Sequence, residues 1–313
     1  SDYTYDAIYR LIEATGREHL GQAGGRAGPP TPPSALDVFH TRLDQPGDGR
    51  AMGTYLERYT YDAAGNLATL VHLGTQPVHP GWTQTYTYGE RSLLDPTAMG
   101  NRLSAATIGG NAEDLRYDGP AGAHGDITAV PHLAVMRWDH GDRLRATARQ
   151  RVNRGTPETT WYVYDANGDR TRTVTERAAG EGATPSRAPE RIYLGPFEIY
   201  REYGAVAEDV TLERETLHVM DGEQRIALVE TDLTEPGARN GPAVLVRYQL
   251  GNHLGSAVLE LDAQARIISY EEYTPYGSSA YQAVRSQVEA SKRYRFTAKE
   301  RDAGTGFDYF GAR

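Results

Sequence analysis

The stretch RYTYDAAGNLATLVH, residues 58–72, has imperfect copies elsewhere in the chain. They read YTYDAIYRLIEA from Tyr3, LRYDGPAGAHGDITAV from Leu115, RWDHGDRLRATA from Arg137 and WYVYDANGDRTRTV from Trp161. A unit repeated this often builds an architecture before it builds an active site, because each copy must bury its apolar face against its neighbours. Locally it reads as a β-hairpin. Tyr59 and Tyr61 are two apart and share one strand face. Asp62-Ala63-Ala64-Gly65 fits a type I turn with Asp first and Gly fourth. Gly65 supplies the left-handed residue that closes a three-residue loop with a bulge. Leu67, Thr69 and Val71 then alternate on a returning strand. Asp165-Ala166-Asn167-Gly168 repeats the turn between Tyr162/Tyr164 and Thr171/Thr173, whereas Tyr9 and Ala265 stand where glycine is expected after Asp6 and Asp262.

Asp6, Asp62 and Asp118 are 56 residues apart, and Asp139 and Asp165 follow at intervals of 21 and 26. Such uneven spacing argues against a fixed-pitch solenoid or propeller and suits an all-β chain: a long antiparallel sheet with variable loops at its edge. Residues 21–35 (GQAGGRAGPPTPPSA) and 178–190 (AAGEGATPSRAPE) lack periodicity and are expected to be inserted loops. A short helix is expected over 280–293, and strands nearly everywhere else.

Composition narrows the function classes. The 34 glycines and 21 tyrosines against 5 phenylalanines suit short strands and tight turns. A net charge of −9 argues against nucleic acid, whose binding relies on neutralised phosphates. No run approaches the ~20 apolar residues of a membrane helix, so no membrane insertion by this segment is expected. Nothing at Ser1 reads as a secretory signal. With no cysteine, disulfides, cysteine zinc sites and thiol nucleophiles are excluded together.

Sharper readings of single motifs give way to plainer ones. Asp165, Asn167, Asp169 and Glu176 occupy positions 1, 3, 5 and 12 of a calcium-binding loop, but Arg170 falls where that loop needs glycine. The same stretch aligns with the Asp62 turn, so a turn explains both. None of the 9 histidines lies in an HxH or HExxH pattern, and His253 reads as a loop histidine bonded to backbone. Ser256 lacks the nucleophile-elbow glycines. Glu271 and Glu272 point to opposite strand faces and cannot flank one glycosidic bond. The tyrosine pairs read as cross-strand partners rather than sugar platforms. No catalytic, cofactor-binding or metal-binding residue is assigned, no cofactor is expected, and an enzyme is the last of the readings.

The last third is more distinctive. RYQLGNHLGSAVLELDAQARIISYEEYTPYG (247–277) and RYRFTAKERDAGTGFDYFGAR (293–313) resemble the Rhs family of YD-repeat proteins, where the repeats meet the Rhs-associated core. The signature is carried by Gly251, Asn252, His253 and Gly255 and by Lys299, Glu300, Arg301 and Asp302. Gly304 departs from it, standing where the family carries an acid. YTYDAIYRLIEATGREHLGQ (3–22) resembles the C component of bacterial ABC insecticidal toxin complexes.

The resemblance implies part of a hollow shell of spiralling sheet that encloses and delivers a toxic C-terminal domain of the same parent protein, completed by a B component. It also implies a secreted or otherwise delivered toxin component. Residues 1–246 would be the repeat region and 247–313 the start of the core. The family's aspartyl-type self-cleavage motifs lie beyond its GAR segment. Asp95-Pro96 falls in a repeat loop, so no catalytic residue carries over and the chain reads as a piece of a longer protein. Two rivals are an Rhs effector of a type VI or contact-dependent route, without a B partner, and an extracellular YD-repeat adhesion module.

Overall fold

Asp62 shows how a repeat aspartate builds its own turn. Asp62 Oδ1 accepts the backbone N–H groups of Ala64 and Asn66 at 2.9 Å. The Asp62 N–H donates to the Asn66 carbonyl, and the Gly65 N–H to the Asp62 carbonyl. The same two backbone bonds close Asp6–Arg10, Asp139–Arg143, Asp165–Asp169, Asn252–Ser256, Asp262–Arg266 and Thr274–Ser278. The fourth residue is left-handed in all of them, with φ of 90° at Gly65 but also 63° at Tyr9, 57° at Asp142 and 59° at Ala265. For a non-glycine residue that conformation costs about 1–2 kcal/mol. All three such turns carry an arginine in the next position. Its Nε donates to the turn carboxylate at 2.7 Å in Arg10–Asp6, 3.0 Å in Arg143–Asp139 and 2.8 Å in Arg266–Asp262. These ion pairs brace the turn beside each strained residue, at the modest worth of partly exposed charges.

The aromatic residue before or between turns ties one hairpin to the one preceding it. Tyr61 donates its hydroxyl to the Leu11 carbonyl at 2.7 Å, Tyr88 to Leu67 at 3.0 Å and Tyr164 to Leu144 at 2.9 Å. Leu11, Leu67 and Leu144 each stand five residues past a turn aspartate. Trp138 Nε1 makes the matching bond to the Ile127 carbonyl at 2.7 Å. A tyrosine suits this role because its ring packs against apolar neighbours while its tip satisfies a carbonyl. Phenylalanine would leave that carbonyl without the bond.

The computed structural model describes residues 1–20, 51–77, 80–109, 111–118, 124–205, 209–234, 243–284 and 292–311. The loop expected over 21–35 lies outside them. The chain forms two compact units, Ser1–Arg116 with Tyr270–Ala283 and Tyr117–Ser269 with Val284–Arg313. In the first, β1 (Tyr3–Tyr5), β2 (Leu11–His19), β3 (Met52–Tyr61), β4 (Leu67–Gly74), β5 (Trp82–Thr87), β6 (Ala105–Ile108) and β7 (Asn111–Asp114) pair antiparallel in sequence order. Its core is Ala14, Tyr59, Leu70, Trp82, Ala106 and Ile108, with Tyr61 packed at the margin.

β8 (Arg116–Tyr117) and β9 (Ile127–Ala129) form a separate two-stranded ribbon. A twelve-stranded sheet follows, again in sequence order: β10 (Val135–Trp138), β11 (Leu144–Ala148), β12 (Thr159–Tyr164), β13 (Arg170–Glu176), β14 (Arg187–Leu194), β15 (Phe197–Tyr203), β16 (Val210–Asp221), β17 (Gln224–Asp232), β18 (Val244–Gly251), β19 (Ala257–Leu261), β20 (Ile267–Tyr273) and β21 (Ser279–Val284). The short hairpin β22 (Glu300–Arg301) and β23 (Asp308–Tyr309) ends the described chain. The fold is all-β.

Two expectations are corrected. Where a helix was expected over 280–293, residues 279–284 are the strand β21, and 285–291 lie outside the described residues. Ala280 and Tyr281, adjacent in sequence, are both buried. A strand covered on both faces accommodates this, and sheet pairing overrides alanine's helix propensity. The loop over 178–190 is shorter than expected, since β14 starts at Arg187 and Ala179 bridges to Thr156. Pro189 fits within β14 because the pairing with β13 shifts register there, so no ladder N–H is required of it. Among the described residues no helix is long and apolar enough to cross a membrane, and Phe296–Ala298 is a single 3-10 turn.

Candidate functional site

β13 opens with Arg170, the residue that spoils the calcium pattern in the sequence. Its side chain is 4% exposed and lies between two carboxylates of the signature segment, Glu300 at 2.6 Å and Asp302 at 3.0 Å. Its guanidinium also stacks 4.0 Å over the Tyr309 ring and 5.1 Å over Tyr193. Burial alone would push the Arg170 pKa down, but Tyr193, Glu300 and Asp302 reverse this and raise it. The cation is permanent.

The pairing extends as a chain. Glu300 also meets Arg293 at 3.0 Å, Arg293 meets Glu198 on β15 at 2.6 Å, and Glu198 meets Arg191 on β14 at 3.1 Å. Tyr294 donates its hydroxyl to Glu198, and His218 Nε2 lies 2.9 Å from the same carboxylate. Arg225 donates to His218 Nδ1 at 3.1 Å and sits 3.6 Å over the Tyr294 ring. Burial would raise the Glu198 pKa, but Arg293, His218 and Arg191 outweigh it and hold the carboxyl far below the usual range. Three carboxylates thus face three paired arginines, and most of their oxygens accept hydrogen bonds. Such a network holds a segment in one place, because removing any member leaves a buried charge uncompensated. The arrangement is a clamp fastening residues 293–302 to the sheet formed by β13–β17.

The clamp borders a cavity of about 310 Å3 walled by Trp138, Tyr164, Phe307 and Tyr309, with Arg170 and Asp302 at one side. Gly168 lines it too, so the Asp165–Gly168 turn and the signature acid Asp302 come together there. Asp302 also caps its own loop, accepting the N–H groups of Gly304 at 3.0 Å and Thr305 at 2.9 Å. Arg301 turns away to pair with Asp308 at 2.7 Å, and Lys299 uses its backbone to close the 3-10 turn.

The other signature residues lie elsewhere. Gly251 ends β18, and Asn252 builds another repeat turn, its Oδ1 accepting the N–H groups of Leu254 and Ser256 at 3.0 Å. Asn252 therefore replaces the repeat aspartate, Gly255 is its left-handed residue at φ 75°, and His253 occupies the exposed second position of the turn. Asp62 and Gly65 belong to the first unit.

The calcium quartet is not gathered. Asp165 Oδ1 already accepts the N–H groups of Asn167 and Asp169, at 2.8 and 3.0 Å. Glu176 lies at the opposite end of β13, bonded to Trp161 Nε1 at 2.8 Å. Six residues at ~3.3 Å each put it about 20 Å from the turn. Sequence reasoning missed Arg170, Glu198, Arg293 and Tyr309. Their only signal was an arginine beginning a strand that is otherwise threonine and valine, and tyrosines recurring near acids.

Hairpins stitched by tyrosines and closed by a charged clamp define an all-β chain built of repeated hairpins. No family model matches it. Its relatives are more specific. The chain is 30% identical to toxin subunit YenC2 and 31% identical to toxin subunit YenC1 of Yersinia entomophaga, over 99% of its own length and 29% of theirs. It thus spans less than a third of these relatives. The crystal structure of TcdB2-TccC3 without its hypervariable C-terminal region matches with a TM-score of 0.74 and 28% identity, over 99% of this chain and 13% of that one. The Photorhabdus luminescens Tc holotoxin pore matches with a TM-score of 0.73, also at 28% identity and over 99% and 13%. The chain is homologous to the YenC subunits and corresponds to the C-component region of Tc toxin complexes.

Proposed function

We propose that this chain is a wall segment of a toxin-enclosing shell, the part of a C component in which repeats pass into the core. The match to TcdB2-TccC3 over 99% of the chain carries this reading. The repeats supply a wall whose copies are stitched edge to edge, and residues 247–313 begin the core, whose segment 293–302 is held to the sheet by the Arg170–Glu300–Asp302 clamp. The cargo is a C-terminal toxic region of the same parent protein, and a B component completes the enclosure. The self-cleavage that frees such cargo is the work of residues outside Ser1–Arg313, and the parent protein is delivered outside the bacterium.

The test is co-expression of the parent protein with a B component from the same genome. A stable complex in which the C-terminal region resists added protease, and becomes digestible when the complex is opened with denaturant, is the expected result. A parent protein that forms no such complex, or whose C-terminal region is digested at the same rate with and without the B component, would overturn it.

A further inference from the structure

In the first unit, His72 on β4 has a carboxylate at each ring nitrogen: Glu18 of β2 lies 2.9 Å from Nε2 and Glu57 of β3 lies 3.1 Å from Nδ1. All three residues are no more than 2% exposed. An ionised carboxylate only accepts hydrogen bonds, so imidazolium, with two N–H groups, satisfies both sides and neutral imidazole satisfies one. The ring is sandwiched between Trp82, at 5.0 Å and 2° from parallel, and Tyr55 at 5.1 Å. Aromatic faces favour a cation there. The site is built for this ring. Gly16 leaves room for the Tyr55 ring, since a Cβ at Gly16 would fall 2.5 Å from it, and Glu57 and His72 stand directly opposite in the β3–β4 register.

We propose that the Glu18–His72–Glu57 triad is an alkaline-releasable clasp across β2, β3 and β4, closed while His72 carries its second proton and opening this part of the sheet when that proton leaves. Among the described residues, no arginine or lysine is ion-paired to either glutamate. From β2 the groups near the ring are Glu18 and the neighbouring His19, which stacks on Tyr281 at 5.4 Å. From β3 they are Glu57, Tyr55 and Tyr59, whose hydroxyl donates to Glu57. From β5 come the uncharged Trp82 and Gln84, with Tyr86 near Glu57. Once His72 is neutral, two buried carboxylates remain with no cation between them, and water must enter to solvate them.

Burial alone would push the His72 pKa down, but its hydrogen bonds to Glu18 and Glu57 outweigh that and hold it at about 9. The clasp's contribution to stability is complete below the unfolded value near 6.5 and is lost as pH rises through about 9. The device depends on the geometry of the first unit and not on the shell reading.

The experiment is hydrogen exchange with mass spectrometry on the intact protein between pH 7 and 10, with rates corrected for intrinsic exchange. Protection of β2–β4 peptides should fall at least tenfold across this range, while β14–β17 peptides hold theirs. His72→Gln should abolish the pH dependence. Should that variant not fold, the wild-type His72 ring titration by NMR decides the matter, with a midpoint near 9 expected. Protection of β2–β4 that does not change with pH, the same dependence in His72→Gln, or a ring titration near 6.5 would each overturn the clasp.

Discussion

Replacing Arg170 by methionine tests the clamp most directly, because the side-chain volume is largely kept and the charge is lost. Arg170 is buried and bridges Glu300 and Asp302 at 2.6 and 3.0 Å. Removing one partner of a buried pair costs ~3–5 kcal/mol. Glu300 keeps Arg293 at 3.0 Å and Tyr193, and Asp302 keeps the Tyr162 hydroxyl and its own loop N–H groups. The cost should therefore fall at the lower end, about 3 kcal/mol. For a unit of roughly 150–250 residues this corresponds to about 6–12 °C in Tm. Limited trypsin digestion gives a second readout, because Lys299 and Arg301 lie in the released segment. Cleavage there should quicken before the β14–β17 peptides are attacked. The matched variant Arg170→Met with Glu300→Gln should recover part of the loss, since one stranded charge is gone. A single variant melting within 2 °C of wild type, with unchanged cleavage, would refute the clamp.

Four further outcomes follow from the turns and charges. Ala265→Gly should stabilise by about 1 kcal/mol, because glycine adopts the left-handed φ of 59° without the strain alanine bears there; a lowered Tm would deny that strain. Gly65→Val should cost about 1–2 kcal/mol and Ala64→Val much less; as a Cβ at Gly65 meets nothing within 4 Å, the loss is backbone strain alone. Millimolar calcium should leave Tm unchanged, because the Asp165 carboxylate already serves its own turn and Glu176 is at the far end of the strand. Glu198, whose folded pKa is depressed, contributes stability above its unfolded value near 4.5 and loses it as pH falls toward the folded value. Glu198→Gln should thus be far less stable than wild type at pH 7, and chemical denaturation should show the gap closing in acid.

How much was legible in the sequence depended on the range of the interaction. The Asp62 and Asp165 turns could be read because their hydrogen bonds close within five residues, and alternation of side chains then set the strands. The turn at Asn252 escaped notice only because asparagine stands in for aspartate, although its Oδ1 makes the same two bonds. Tyr61, Tyr88 and Tyr164 were visible as recurring tyrosines on strand faces. Their hydroxyl bonds to Leu11, Leu67 and Leu144 were not, because each spans about 20 to 50 residues and is set by which hairpins become neighbours. The helix expected over 280–293 failed at 279–284 for the same reason, since pairing of β21 in the sheet outweighed local propensity. Lys299 to Asp302 were recognisable as a segment, but their role rests on Arg170, some 130 residues earlier, and on Glu198 and Arg293. Charged side chains carry no periodicity that marks a distant partner. Likewise nothing in the order of Glu18, Glu57 and His72 foretells that three strands will bring both carboxylates within 3.1 Å of the one ring. The local sequence determined turns and strands through short-range hydrogen bonds and side-chain alternation. Tertiary structure alone decided which buried charges met, because a low-dielectric interior makes those pairings strong only after the strands have come together.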